Sequence, residues 1–137
     1  MKIIICGSMT TAKAMLSAKE KLVAIGHSVT MPDFTEDYAQ MESLDHVASE
    51  SAKNKIEHDL IKKYYDKIKD GDAILVINED KNGKVNYVGG NSFLEMGFAH
   101  VLNKKIFLLN PIPELSYSDE IIAMQPIIIN GDLKKIE

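Results

Sequence analysis

The chain has one cysteine, Cys6, among 137 residues. A single thiol cannot close an intramolecular disulfide or anchor a cysteine-rich metal site. Basic charge is not in excess either: 16 Lys and Arg against 20 Asp and Glu leave a net charge of -4. A general nucleic-acid binder would carry a basic patch instead. No apolar run approaches the roughly 20 residues that a membrane helix needs, and the start lacks the basic, apolar and small-residue blocks of a secretory signal. Internal repeats and low-complexity linkers are missing. So are the G-x-G-x-x-G dinucleotide fingerprint and the lysine-containing NTP loop. The four histidines, His27, His46, His58 and His100, have no metal-ligand spacing. No metal and no cofactor are expected. What remains is a protein of the reducing cytoplasm that handles a small molecule, with neither nucleic acid nor membrane as partner.

What is present fits one globular domain, residues 1–137. Hydrophobic residues make up 45% and charged residues 26%, and a chain of this length buries a core without staples. Lys2 to Cys6 is continuously apolar and β-branched, the pattern of a strand covered on both faces. Gly7-Ser8-Met9-Thr10 breaks it. Thr10 is the expected N-cap of a helix from Thr11 to about Ile25, with Ala14, Met15, Ala18, Leu22 and Ile25 on one face and Gly26 at its end. Ser28 to Met31 reads as a second strand, stopped by Pro32. Ser43 is the expected cap of a long helix reaching Lys69, in which Ile56, Leu60, Tyr64 and Ile68 lie four apart. Asp72 to Asn78 is the clearest buried strand. Glu79 to Val88 contains Asn82-Gly83, a tight-turn pair that predicts a small hairpin excursion.

A helix from Ser92 to Leu102 follows, then a strand from Lys105 to Leu109. Asn110 to Pro113 is a rigid turn. A short helix over Ser118 to Met124 precedes an edge strand over Pro126 to Ile129, and Gly131 opens a polar tail. Alternating strands and helices predict an α/β, three-layer sandwich: a five-stranded, mostly parallel, flavodoxin/Rossmann-like sheet with helices on both faces. Ligands of such sheets bind beyond the carboxyl ends of the strands. That edge gathers three loops: Gly7 to Thr10, Glu79 to Gly90 with the start of the following helix, and Asn110 to Ser116.

The richest stretch is Gly89-Gly90-Asn91-Ser92-Phe93-Leu94-Glu95-Met96-Gly97. Its one carboxylate, Glu95, is expected in the first turn of the helix. A glutamate there gains a few tenths to about 1 kcal/mol from the helix dipole, so a capping role competes with a chemical one. Two preceding glycines and the apolar flanks Phe93, Leu94, Met96 and Phe98 favour chemistry, because they can desolvate a carboxylate and tune it. Gly97 would allow a close approach to the helix. Gly7, Ser8 and Thr10, with Gly89, Gly90, Asn91 and Ser92, are the candidate cradle for a phosphate or sugar. Asp66 and Tyr64, near the end of the preceding helix, are weaker catalytic candidates. Asp72 is a candidate ligand residue whose plainer reading is a local backbone partner. Asn86 and Tyr87 could touch a sugar or base. Cys6 reads as core.

The frame Asp-Ala-Ile-Leu-Val-Ile … Gly-Gly-Asn-Ser-Phe-Leu-Glu-Met-Gly-Phe-Ala … Lys-Lys-Ile-Phe-Leu-Leu resembles the nucleoside 2-deoxyribosyltransferase superfamily, which includes the deoxynucleoside 5′-monophosphate N-glycosidases. The order of elements is similar over residues 1 to 110, and recognisable residues span 72 to 109. The resemblance implies that Glu95 is the nucleophile attacking an anomeric carbon. It implies a nucleoside or nucleotide substrate whose 5′ group lies against Gly7 to Thr10 and Gly89 to Ser92. It also implies a homo-oligomer, a dimer, because such sites are often completed by a neighbouring subunit. One departure stands out. The family usually carries an acid eight positions before the aspartate that opens the core strand, and this chain has Tyr64 there, with Asp66 the nearest acid. That departure favours an alternative, a non-catalytic nucleotide-binding or sensing module on the same fold. A flavodoxin-like redox protein is a weaker rival, because Gly7 to Thr10 is short for a flavin phosphate.

Overall fold

The computed structural model describes residues 1–33, 35–40, 56 and 59–137. Its sheet grows from the apolar runs. Ile3, Ile4, Ile5 and Cys6 are all inaccessible to solvent. Side chains alternate across a strand, so Ile3 and Ile5 enter one core and Ile4 and Cys6 the other. Ala73, Leu75 and Ile77 join the first core, and Ile74 and Val76 the second. Burial on both faces is why these runs are continuously apolar rather than alternating.

The strands are β1 (Lys2–Cys6), β2 (Ser28–Thr30), β3 (Ala73–Val76), β4 (Lys105–Leu108) and β5 (Ile127–Ile128), in the spatial order β2-β1-β3-β4-β5. Every neighbouring pair is parallel, including the edge strand. The five described α-helices are α1 (Ala12–Ala24), α2 (Thr35–Ala39), α3 (Leu60–Asp70), α4 (Gly90–Val101) and α5 (Ser118–Ala123). Met15, Ala18 and Leu22 of α1 cover the first core, and Tyr64, Ile68, Met96 and Ala99 of α3 and α4 cover the second. The α/β three-layer expectation holds. The order reverses direction at β1 and β3, the switch point where doubly wound sheets open a ligand crevice.

Several local expectations shift. Ser8, not Thr10, is the first cap: its hydroxyl accepts from the amide of Thr10 and starts a 3-10 turn, Met9–Thr11, ahead of α1. Ile25 falls past the end of α1 and is 48% exposed. The expected stripe on the long helix is buried at Tyr64 and Ile68 but not at Ile56. The Ser43 start of that helix, and His46 and His58, lie outside the described residues. The excursion after β3 is a hairpin closed by Lys81 and Lys84 around Asn82 and Gly83, whose φ values of 52° and 76° are those that an Asn-Gly turn supplies. The terminal segment is not simply polar: it forms a 3-10 turn over Leu133–Lys135, and Ile136 is buried in the first core.

Asn78, fully buried just beyond β3, fixes the loops at the carboxyl edge. Its amide nitrogen donates to the carbonyls of Asn110 (2.9 Å) and Pro111 (3.1 Å), and its oxygen accepts from the Asn110 amide (2.9 Å). Asn110 returns a bond from its own side chain to the Asn78 carbonyl (2.9 Å). Asn78→Asp sets a carboxylate against those carbonyls. The expected cost is about 2–4 kcal/mol, read as a lower urea midpoint. The loss should be smaller at pH 5 than at pH 8, because burial holds the new carboxyl protonated at the lower pH.

Candidate active site

The start of α4 differs from the expectation in a way that matters for Glu95. Gly89 is the N-cap, in extended conformation, and no side chain caps the helix. Asn91 and Ser92 therefore lie inside the first turn. Glu95 is the sixth helical residue, and the first turn holds no acid. The helix dipole acts within the first turn, so capping does not account for this carboxylate. Nor does exposure, since Glu95 is only 3% accessible. The side-chain amide of Asn91, one turn earlier, donates to Glu95 Oε1 at 3.1 Å.

Glu95 opens onto a cleft at the carboxyl edge of the sheet, with about 590 Å³ of empty space counted out to its mouth. Met9 from the first loop, Leu60 and Ile61 from α3, and Leu94 and Phe98 from α4 give it apolar walls. Tyr38 and Tyr64 add aromatic ones. The polar groups are few: Glu95, Asn91, Asp33, Lys63 and Lys67. Apolar walls with sparse, convergent polar groups are what small-molecule sites have in common.

Tyr64 ties the cleft to the sheet. Its hydroxyl donates to the carbonyl of Ile5 in β1. Burial pushes the phenol well above its usual range, and the nearby charges of Glu95 and Asp33 push the same way, together with the neighbouring Cys6. Burial and then the Glu95 charge likewise raise the Cys6 thiol. Both groups are therefore neutral at physiological pH. Lys67 lies over the Tyr64 ring, 5.4 Å from its centroid, and bonds Asp33 at 2.9 Å.

Of the residues expected from sequence, the structure brings Glu95, Tyr64 and Asn91 into one cleft. From the first loop, Met9 forms part of the wall, flanked by Ser8 and Thr10, whose hydroxyls bond each other at 2.9 Å. Lys81 of the hairpin reaches Ser8 Oγ at 3.1 Å. Gly7 is required for packing: a Cβ there would stand 2.8 Å from Thr11 Oγ1. Gly89 and Gly90 start α4, and Ser92 is buried in its first turn. Asp66 is exposed and takes no part in the cleft wall. Asp72 is at the wrong end of the sheet. It precedes β3 at the amino edge, where its carboxylate accepts the amide of Lys2 at 2.7 Å, so its local role is the one observed. Gly97 faces open space, and beyond its own helix no described residue comes within 4 Å of where its Cβ would stand. Asn86 and Tyr87 belong to the hairpin: the Asn86 amide bonds Asp80, and the Tyr87 ring lies 5.9 Å and 5.8 Å from the ammonium groups of Lys81 and Lys84.

Sequence reasoning missed Asp33, Lys63, Lys67 and Tyr38 as cleft residues. Asp33 and Lys67 meet across 34 positions of chain, a distance no local pattern reveals. No protein-family model and no curated protein matches this chain.

The raised thiol gives a direct check. Cys6 should resist thiol-reactive reagents at pH 7.5 in the folded protein and react at once in 6 M guanidinium, because the thiolate is the reactive form. Prompt labelling of the folded protein would contradict the burial described here.

Proposed function

We propose that the protein breaks the N-glycosidic bond of a nucleoside or nucleotide, as a hydrolase or transferase, with Glu95 as nucleophile. The observation that carries this reading is a buried carboxylate, oriented by Asn91, opening on an apolar cleft at the ligand edge of the sheet. Removed from water, an ionised carboxylate is poorly solvated and gains from meeting a developing positive charge. The anomeric carbon of a departing sugar is such a charge. Glu95 bonds to that carbon, and the base leaves with the electron pair of the broken bond and takes a proton from solvent. Water or a second base then cleaves the ester.

The other residues divide the supporting work. The Tyr64 hydroxyl is committed to the Ile5 carbonyl, so Tyr64 shapes the wall rather than moving a proton. Gly7, Ser8 and Thr10, with Gly89, Gly90 and Ser92, flank the place for the 5′ group, and Lys81 adds a cation beside Ser8. A second reading, a binding or sensing module that leaves its ligand intact, is favoured by the neutral, hydrogen-bonded Tyr64 where an acid is expected.

Incubation with a panel of nucleosides and their 5′-monophosphates should release free base, and Glu95→Gln should lower the rate by about 10³-fold or more. Release that is equal in the two proteins removes Glu95 from the mechanism. A ligand that raises the melting temperature by mass action and is recovered whole supports the binding module.

We also propose self-association through α4. Gly97 and Val101 share one face, Val101 is 72% exposed, and Gly97 has free space in front of it. Sedimentation should show a dimer that Val101→Glu converts to monomer, and a monomeric wild type would exclude this interface.

A further inference from the structure

The reaction proposed above leaves three charged cleft residues unused, Asp33, Lys63 and Lys67, of which Asp33 and Lys67 form a pair. Asp33 leaves the carboxyl end of β2 directly after Pro32, whose ring fixes its own φ and narrows the freedom of the loop. Lys67 lies one turn beyond Tyr64 on α3. Their ion pair spans 2.9 Å and engages one oxygen of Asp33, Oδ1. A carboxylate has two oxygens with about four acceptor sites, so Oδ2 can take a water while Lys67 holds the group in place.

Both residues line the cleft that Glu95 opens on. The two carboxylates reach it from opposite sides of Tyr64 in the sequence and from different elements, one from α4 and one from the loop after β2. Their surroundings differ in the way that two-carboxylate chemistry needs. Glu95 is 3% accessible, whereas the Asp33 side chain is 42% exposed. One is shielded from water, as a nucleophile must be when its ester is to survive. The other meets water. Lys67, which bonds Asp33, also lies over the Tyr64 ring, 5.4 Å from its centroid, so Asp33 stands at the same cleft wall as Tyr64.

We propose that Asp33 is the second carboxylate of this site, the general base that brings water to the glycosyl ester on Glu95. The acid that is missing from α3 at Tyr64 is thus supplied by the loop after β2, and the protein is a hydrolase. This inference rests on the N-glycosyl reading of the same cleft. In the step itself, Asp33 accepts one proton from a water molecule as the water oxygen bonds to the anomeric carbon. The bond from that carbon to Glu95 breaks, and its electron pair returns to the Glu95 carboxylate. The free sugar leaves with a new hydroxyl, and Asp33 loses its proton to solvent. Lys67 is a positioning residue: it touches Asp33 and not the reacting atoms.

The test compares wild type, Glu95→Gln, Asp33→Asn and Lys67→Met on whichever nucleoside or monophosphate the wild type cleaves. Asp33→Asn should keep the wild-type melting temperature, because the ion pair is partly exposed and such pairs add little to stability. It should release base in a first-turnover burst and then slow by about 10²-fold or more in the steady state. Intact-mass analysis of the quenched variant should show one sugar bound at Glu95. Added azide, a nucleophile needing no base, should restore turnover and yield the glycosyl azide. Lys67→Met should keep the burst and slow the steady state less than Asp33→Asn does, and azide should restore its turnover as well. An Asp33→Asn protein with the wild-type steady-state rate overturns the assignment of Asp33 while leaving the Glu95 chemistry intact. So does a slow variant with no burst and no trapped sugar. If the wild type cleaves no substrate, both the glycosyl reading and this assignment fall together.

Discussion

The carboxyl edge of this protein depends on one exchange of hydrogen bonds between Asn78 and Asn110. A polar side chain with no solvent access must be fully satisfied, and its partners then become fixed points. Asn78 bonds the backbone of the loop after β4 in both directions. It also lies 3.5 Å from the carbonyl of Asn86, in the segment that leads to α4. The loops after β3 and β4 are therefore set by one residue. From that anchor the chain enters α4 at Gly89, and the start of α4 decides where Glu95 stands. The cleft inherits its geometry from an amide that never faces it.

The two edges of the sheet contrast in a way that organises the molecule. The amino edge is closed by polar contacts: Lys2 with Asp70, the Lys2 amide with Asp72, and the terminal amine with His27. The Lys2 ammonium holds the Asp70 carboxyl below its usual range. The Lys2–Asp70 pair is exposed and matched, so its cost is small and its chemistry is inert. At the carboxyl edge one carboxylate, Glu95, is instead buried, in a cleft shared with Met9, Leu60, Leu94 and Phe98. Water is scarcer around Glu95, and its charge acts more strongly on its neighbours. Reactivity is expected at the second edge for that reason and not merely because loops gather there.

How much of this was legible in the sequence depended on the range of the interaction involved. Lys2 to Cys6 and Asp72 to Asn78 were readable because burial on both faces leaves a continuous apolar run. Glu95 was readable because glycines and apolar flanks surround it locally. Its exact turn was not. Asn91 and Ser92 are better caps than glycine by type, yet Gly89 took the cap, and the helix began two residues earlier than expected. Asp72 carried a signal that went unused: a residue opening a parallel strand lies at the amino edge, away from the ligand. Ile136 reaches its core from beyond the last strand, and Asp33 meets Lys67 across the fold. Contacts of that kind have no period to read. They exist only once the sheet has placed two distant segments side by side.

That dependence on distant segments has a kinetic side. In the central pairing of β1 with β3, Ile3 lies beside Ala73, so the chain must close a loop of about seventy residues before the middle of the sheet exists. Closing such a loop costs entropy before any contact rewards it, and parallel sheets are slow to form for that reason. The Ile5 carbonyl that receives Tyr64 belongs to β1, and Glu95 is buried by elements on the far side of the same closure. A nascent or partly unfolded chain therefore holds Glu95 as an ordinary, hydrated carboxylate. The carboxylate becomes unusual only with the final assembly of the sheet, so whatever reactivity it has is withheld until folding is complete.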